Sequence, residues 1–322
     1  MTGSNPLAQP AFLAPVKDAP AAGITKAVNL LRSGDIIAVP TETVYGLAAD
    51  ASNADAVAAI YRAKGRPDFN PLIVHVPDID AAQTLAVFDD LAHSLAARFW
   101  PGPLTLVLPL RASANICAAV TAGLPTIAIR CPAHPVMQAV LRQSGLLLAA
   151  PSANKSGGIS PTTAEHVAAS LGDQIPLILD AGPCSRGLES TIVAVRPAGW
   201  QILRPGPVTS EQIEAVAHTS ALVGSGDSIE APGQMASHYA PQKSLRLNAQ
   251  IAQADEWLIG FGAIAGNDTL SPSGDLAQAA AHLFAALHTA DASTHPRIAV
   301  APIPQHGIGI AINDRLARAA AR

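Results

Sequence analysis

Five cationic side chains in this sequence stand at the ends of apolar, strand-like runs. The chain has five lysines in 322 residues (Lys17, Lys26, Lys64, Lys155 and Lys243), so where they fall is informative. Lys64 and Arg66 lie in Lys64-Gly65-Arg66-Pro67-Asp68-Phe69-Asn70-Pro71, which leads into the run Leu72-Ile73-Val74-His75-Val76. Arg130 closes Thr126-Ile127-Ala128-Ile129-Arg130, Arg204 closes Gln201-Ile202-Leu203-Arg204, and Lys155 follows the run Leu146–Ala150. A lone arginine at a strand end is usually a solvated surface residue. Five cations so placed point to a polyanionic small ligand, because open α/β sheets bind ligands just beyond strand ends, where guanidinium and ammonium suit phosphates and carboxylates.

The loop Pro151-Ser152-Ala153-Asn154-Lys155-Ser156-Gly157-Gly158-Ile159-Ser160-Pro161 adds hydroxyls, an amide and two glycines between prolines. Such a loop can turn backbone N–H groups toward an anion, although Ser/Gly/Pro clusters are usually solvated connections and the loop alone favours that reading. Thr41, Thr43, Thr126, Ser152, Ser160 and Ser190 supply neutral donors at the same edges, although any one of them taken alone reads more readily as a local backbone cap. His75 alternates with apolar neighbours and reads, by itself, as a satisfied, partly buried histidine. His238-Tyr239 falls in a Gly/Ser/Pro-rich segment, where an aromatic could fold over a nucleotide or pack on the domain surface. The sequence contains no Walker loop, no His-Glu-x-x-His zinc helix and no Gly-x-Ser-x-Gly elbow. Gly260-Phe261-Gly262 lacks the rest of a dinucleotide fingerprint, so a nicotinamide-dependent dehydrogenase has little support.

The elements that must position these groups follow from the periodicity. Helices are predicted over Ile24–Arg32, Ser52–Lys64, Asp89–Phe99, His134–Gln143, Thr162–Leu171 and Ser210–His218, with Thr162 to Glu165 as a capping box for the fifth. Strands are predicted over Asp35–Val39, Leu72–Val76, Leu104–Leu108, Thr126–Arg130, Leu146–Ala150, Leu177–Asp180, Ser190–Val193 and Gln201–Arg204. Strands alternate with helices early and cluster late, which predicts an α/β domain with a mixed, twisted sheet. Residues 1–19 are rich in Pro and Ala and are expected to form a flexible arm before a catalytic domain over 20–208. A terminal helix and a linker or lid fill 209–243, and a small α/β unit over 244–322 has strands near Trp257–Phe261 and Arg297–Ala301 and helices over Leu276–Leu287 and Ile308–Ala321.

Half the residues are apolar and 14% are charged, which describes a folded protein. No apolar run reaches the roughly 20 residues a bilayer requires, and Met1 to Pro20 has no basic start before an apolar block, so the cytoplasm is the expected location. Cys117, Cys131 and Cys184 fit neither a disulfide framework nor a zinc spacing and read as small buried hydrophobes. A net charge of −4 argues against a broad nucleic-acid footprint.

Several motifs resemble the YrdC/Sua5 family in order and spacing: Pro40-Thr41-Glu42-Thr43-Val44-Tyr45-Gly46-Leu47, Lys64-Gly65-Arg66-Pro67, Asn70-Pro71-Leu72-Ile73-Val74-His75, Trp100-Pro101-Gly102-Pro103-Leu104-Thr105, Pro151-Ser152-Ala153-Asn154 and Glu189-Ser190-Thr191-Ile192. Pro232-Gly233 with His238-Tyr239-Ala240-Pro241 resembles the linker of the two-domain Sua5 form. The resemblance implies a YrdC-like twisted mixed sheet with flanking helices and a small Rossmann-like C-terminal domain. It also implies an L-threonylcarbamoyladenylate synthase that joins L-threonine, bicarbonate and ATP, with Mg²⁺ on the phosphates and no protein side chain holding the metal. Its product would pass to a separate transferase making t6A at tRNA position 37.

By the same resemblance Thr43, His75, Arg130, Ser190 and the backbone at Ala150 contact threonine, with Arg130 as carboxylate clamp. Arg66, Asn70, Thr126, Ser152, Ser160, Arg204 and the lid residue Tyr239 contact ATP. Lys64, Arg66, Ser152 and Asn154 form the catalytic signature, with Lys64 neutralising phosphate. The implied mechanism has N-carboxythreonine attacking the α-phosphorus as pyrophosphate leaves. Two other classes compete. An RNA-binding platform would need a more basic surface, and a carbamoyl transferase of the hydrogenase-maturation type would need extra modules that are not evident.

Overall fold

The computed structural model describes residues 12–15, 20–222, 230–234 and 237–321. Its strands are β1 (Phe12–Pro15), β2 (Ile37–Val39), β3 (Gly46–Asp50), β4 (Ile73–His75), β5 (Leu104–Pro109), β6 (Thr126–Arg130), β7 (Leu148–Ala149), β8 (Leu177–Asp180), β9 (Thr191–Arg196), β10 (Gly199–Arg204), β11 (Ser244–Arg246), β12 (Glu256–Gly260), β13 (Asp268–Thr269) and β14 (Arg297–Val300). Its helices are α1 (Pro20–Arg32), α2 (Ala54–Lys64), α3 (Ile79–Leu85), α4 (Asp90–Phe99), α5 (Ala118–Thr121), α6 (Pro135–Ser144), α7 (Ala164–Leu171), α8 (Ser210–Ala217), α9 (Leu276–Ala292) and α10 (Gly309–Ala320).

The first ten strands form one mixed sheet in the order β1-β8-β2-β3-β7-β4-β6-β5-β9-β10, and the last four form a parallel sheet in the order β11-β14-β12-β13. The expected α/β architecture with a small α/β C-terminal unit is what the chain adopts, and the sheet of that unit is parallel. Phe12–Pro15, expected in a flexible arm, instead pairs in parallel with β8; the rest of that arm and parts of the linker (223–229, 235–236) lie outside the described residues. Among the described residues no helix is long and apolar enough to cross a membrane.

Local chemistry explains the elements nearest the site. Asn53 caps α2 by accepting from the N–H groups of Asp55 and Ala56, and Gly65 ends it with φ 57°. Ala56, Val57, Ile60 and Ala63 give the helix one buried face, and Lys64 is delivered at its last turn, where a cation suits the helix dipole. Asn53→Ala is therefore expected to lower stability by about 1 kcal/mol. Equilibrium denaturation reads this directly, and an unchanged midpoint would mean that packing alone holds α2. Helix α7 is capped one residue later than the sequence suggests: Thr163, not Thr162, accepts from His166 N, while the Thr162 carbonyl is taken by Cys184 N.

Strand pairing brings distant residues to one edge. β4 and β6 run parallel with His75 opposite Arg130, and β7 is antiparallel to both β3 and β4, so Ala150 and Ser152 emerge beside them. β9 starts immediately after Ser190, and its antiparallel partner β10 returns to end at Arg204. The turn before β5 supports Arg130 from below: Gly102 N donates to Cys131 O and Gly102 O accepts from Arg130 Nε at 3.1 Å. A Cβ at Gly102 would sit 2.3 Å from Phe99 O, so this close approach requires glycine.

The C-terminal core is not closed on itself. Leu283, Phe284, Ile298, Ile312 and Leu316 share one apolar cluster with Val44, Ile159, Leu188 and Tyr239, which belong to the first sheet's loops and the linker. Of the cysteines, Cys131 and Cys184 are buried as expected, while Cys117 is half-buried.

Candidate active site

One narrow cavity, with about 50 Å³ of space open to water, lies where these loops meet. Thr43, Arg66, His75, Arg130, Ala150, Ser152, Ser190, Arg204 and Tyr239 all line it. The structure thus gathers nine of the fourteen residues assigned to the site by resemblance, together with Thr41 and His238.

The remaining five lie elsewhere. Lys64 is buried behind the wall, where Nζ donates to the carbonyls of Ser152 at 2.6 Å and Asn154 at 2.5 Å. It holds the Ser152 loop in place. Asn154 Nδ2 donates to Lys155 O and Gly158 O and so shapes the same loop from within. Ser160 is fully buried and hydrogen-bonds Glu189 Oε1. Asn70 is buried, and its carbonyl accepts from Arg66 Nε. Thr126 opens β6 four residues before Arg130, about 13 Å away along the strand, so the structure does not bring it to this cavity. Lys155, one of the five strand-end cations, is exposed and stands outside the cavity.

The electrostatics divide the buried arginines into two kinds. Arg130 Nη2 is paired with Glu42 Oε1, while Nη1 donates to Thr43 Oγ1 at 2.8 Å. Burial alone would raise the Glu42 carboxyl, but Arg130 and the N–H of Ala133 hold it below the usual carboxylate range. Arg315, from α10, is paired with Glu189. Arg66 and Arg204 have no carboxylate partner among the described residues. Arg66 donates to the carbonyls of Asn70 and Pro71, and Arg204 to the carbonyls of Ser190 and Pro232 and the Ser190 hydroxyl. Burial pushes the Arg66 guanidinium down to about 10 and lowers Arg204 and Lys64 as well. Buried cations without counter-ions are costly, and an anionic ligand would remove that cost.

Sequence reading assigned no role to Glu42, Glu189 or Arg315. The two glutamates lie inside quoted motifs, so their position was visible and their function was not. Arg315 had no local signal, since an arginine next to Asp314 on an amphipathic helix looks solvated.

Tyr239 closes the cavity from the linker. It is almost fully buried at φ 64°, with its ring 5.7 Å from Phe284 and under the Arg315 guanidinium at 5.0 Å. Gly233, at φ 87°, packs so closely on Tyr239 Oη and Arg204 Cδ that a Cβ would meet them at 2.7 and 2.8 Å. Ala240 N donates to Gly157 O at 2.8 Å, tying the linker to the Ser152 loop.

Known proteins resemble this chain over both domains. Residues 29–206 match the Sua5/YciO/YrdC family model, described as telomere recombination, and residues 208–321 match the model described as the threonylcarbamoyl-AMP synthase C-terminal domain. The chain belongs to the Sua5 family. The Bacillus subtilis threonylcarbamoyl-AMP synthase is 42% identical over 321 residues, covering 92% of each chain. The crystal structure of Pyrococcus abyssi Sua5 complexed with L-threonine superposes with a TM-score of 0.85 at 35% identity, covering 92% of this chain and 94% of that one. A shorter Mycobacterium tuberculosis relative is 40% identical over 195 residues, 60% of this chain and 88% of its own length. This Sua5-family chain is therefore an enzyme of the nucleotidyltransferase type, and it carries the second domain over residues 208–321.

The cavity of this Sua5 protein also predicts acid sensitivity. His75 and His238 both line it, and each has a buried Nδ1 without a hydrogen-bond partner. Burial drives both rings from the ordinary 6.5 to about 3. The unfolded chain protonates them near pH 6.5 while the folded chain keeps them neutral, so stability is full above that pH and is lost as pH falls toward 3. The two together should steepen the loss to about 2.7 kcal/mol per unit near pH 5. Urea denaturation at pH 7, 6 and 5 measures the slope, and a flat profile over that range would refute it.

Proposed function

We propose that this protein joins L-threonine, bicarbonate and ATP into L-threonylcarbamoyl-AMP, releasing pyrophosphate and water, as the first step toward t6A at position 37 of tRNA. The observation that carries this reading is the pair Arg66 and Arg204, two buried guanidiniums held by neutral oxygens in one cavity. Such groups suit a polyphosphate. Across the same cavity, Arg130 with Thr43, His75 and Ser190 offers a smaller polar subsite suited to an amino acid carboxylate and hydroxyl.

In this reading N-carboxythreonine forms from the threonine amine and bicarbonate, and its carboxylate oxygen attacks the α-phosphorus of ATP while pyrophosphate leaves. The chain acts by orienting the reactants and countering charge, with Mg²⁺ arriving on the nucleotide. Ser152 and Arg66, which line the cavity, are assigned to phosphate, and Lys64 and Asn154 act by holding the Ser152 loop. Asn70, Thr126 and Ser160 remain assigned to the nucleotide on the family resemblance, and Tyr239 covers it from the linker. The product would pass to a separate transferase, and a cytoplasmic location suits that handoff.

Incubation with threonine, bicarbonate, ATP and Mg²⁺, read by mass spectrometry, tests the proposal. The expected result is threonylcarbamoyl-AMP with stoichiometric pyrophosphate, abolished when threonine or bicarbonate is omitted. Pyrophosphate release without the mixed anhydride would overturn it.

A further inference from the structure

We propose that Arg315, on the C-terminal domain, is a positioning residue for the nucleotide side of the cavity. It occupies Glu189 so that Arg204 stays available to an anionic ligand. This inference rests on the nucleotide reading given above.

Arg315 is fully buried although it lies on α10, 126 residues beyond Glu189. Its Nε donates to Glu189 Oε2 at 2.8 Å, Nη2 to Pro205 O at 2.9 Å and Nη1 to Asp314 Oδ2 at 2.6 Å. Its guanidinium also lies 5.0 Å from the Tyr239 ring centroid, a cation–π contact with the residue that covers the cavity. One side chain therefore touches two cavity-lining residues, Glu189 and Tyr239, and the turn after β10.

Glu189 is the acidic group that makes this arrangement matter. It lines the cavity beside Ser190, and Arg204 already bonds the Ser190 carbonyl and hydroxyl. Carboxylate and guanidinium are thus one residue apart on the same wall. Glu189 Oε1 accepts from Ser160, and Oε2 is held by Arg315. If Arg315 is removed, a buried carboxylate loses its ion-pair partner, and the other guanidinium that acts on it is Arg204. A buried Glu189–Arg204 pair would then neutralise a guanidinium that the phosphates need, and would place an anion where phosphate is expected.

The test uses the full-length chain and steady-state synthesis with ATP and threonine varied separately. Arg315→Met is expected to raise KM for ATP at least about tenfold while KM for threonine moves less than about threefold. Adding Glu189→Gln to Arg315→Met removes the competing carboxylate and is expected to recover most of the lost ATP affinity. A merely structural role gives no such recovery. A folded Arg315→Met with unchanged KM for ATP overturns the proposal, and so does a double variant as impaired as the single one.

Should Arg315→Met fail to fold, Arg315→Lys carries the test. An ammonium cannot span Glu189 and Pro205 in the same fork, so KM for ATP should rise at least about threefold, and a wild-type value overturns the inference. If the wild-type chain makes no product, the functional reading fails. Calorimetric ATP binding by the same variants then still decides the role of Arg315.

Discussion

Arg66→Ala should reduce kcat/KM for ATP by about 10²–10³ while leaving the melting temperature unchanged or slightly raised. The two halves of this expectation share one cause. Without ligand, Arg66 is a nearly buried cation facing carbonyls, and burial already pushes its guanidinium down to about 10. Removing it relieves that desolvation and so offsets the lost bonds to the Asn70 and Pro71 carbonyls, whereas a structural arginine paired to a carboxylate would leave an orphaned anion behind. With nucleotide bound, the same side chain would supply a charge-assisted donor at the phosphates that water replaces poorly. Loss of activity without loss of stability is the signature of a residue retained for its ligand. Steady-state kinetics paired with thermal unfolding measure both, and normal kcat/KM in a folded variant would remove Arg66 from the site.

The contrast with Arg130 sharpens the point. Its charge is balanced by Glu42, and its Nη1 is engaged by Thr43. It enters the cavity as a rigid, preorganised fork whose geometry is set before any ligand arrives. Arg66 and Arg204 instead carry surplus charge. The cavity therefore has a balanced end and an electron-poor end, and a substrate pair of unequal charge, an amino acid and a triphosphate, matches that polarity.

How much of this could be read from the chain depended on the range of the interaction. Strand ends were legible because β-branched runs stop at prolines and arginines. Arg130 and Arg204 fell where the sequence placed them, and the register of β4 against β6 then set His75 beside Arg130. The helix over 79–85 was missed because its signal is weak, a seven-residue segment with two buried positions. The strand expected over 146–150 shrank to two residues because Ala150 N turns to bond Ile73 O outside the regular ladder. Lys64 was read as a phosphate ligand, yet its ammonium is spent on two carbonyls. Spacing alone cannot tell a cation that meets the ligand from one that shapes the loop meeting it. Glu189 and Arg315 lie beyond any local pattern, since their pairing exists only once two domains are folded together.

That same interdomain pairing sets the expected result of shortening the chain. A fragment ending at Glu230 keeps every strand of the ten-stranded sheet and all the helices packed on it. It should fold cooperatively. It should also lose at least about a hundredfold in kcat/KM for ATP, because three things leave the cavity at once. Pro232 O no longer accepts from Arg204, Tyr239 no longer covers the space, and Glu189 no longer has Arg315. Water then reaches Arg66 and Arg204, and their interactions weaken as the local dielectric rises. Val44, Ile159 and Leu188, buried in the shared apolar cluster, become exposed, which should make the fragment prone to self-association. Circular dichroism, sedimentation and synthesis assays on the fragment separate these effects. A monomeric, folded fragment with the full-length kcat/KM would show that the first sheet and its loops suffice, and that the C-terminal half serves some purpose other than closing the site.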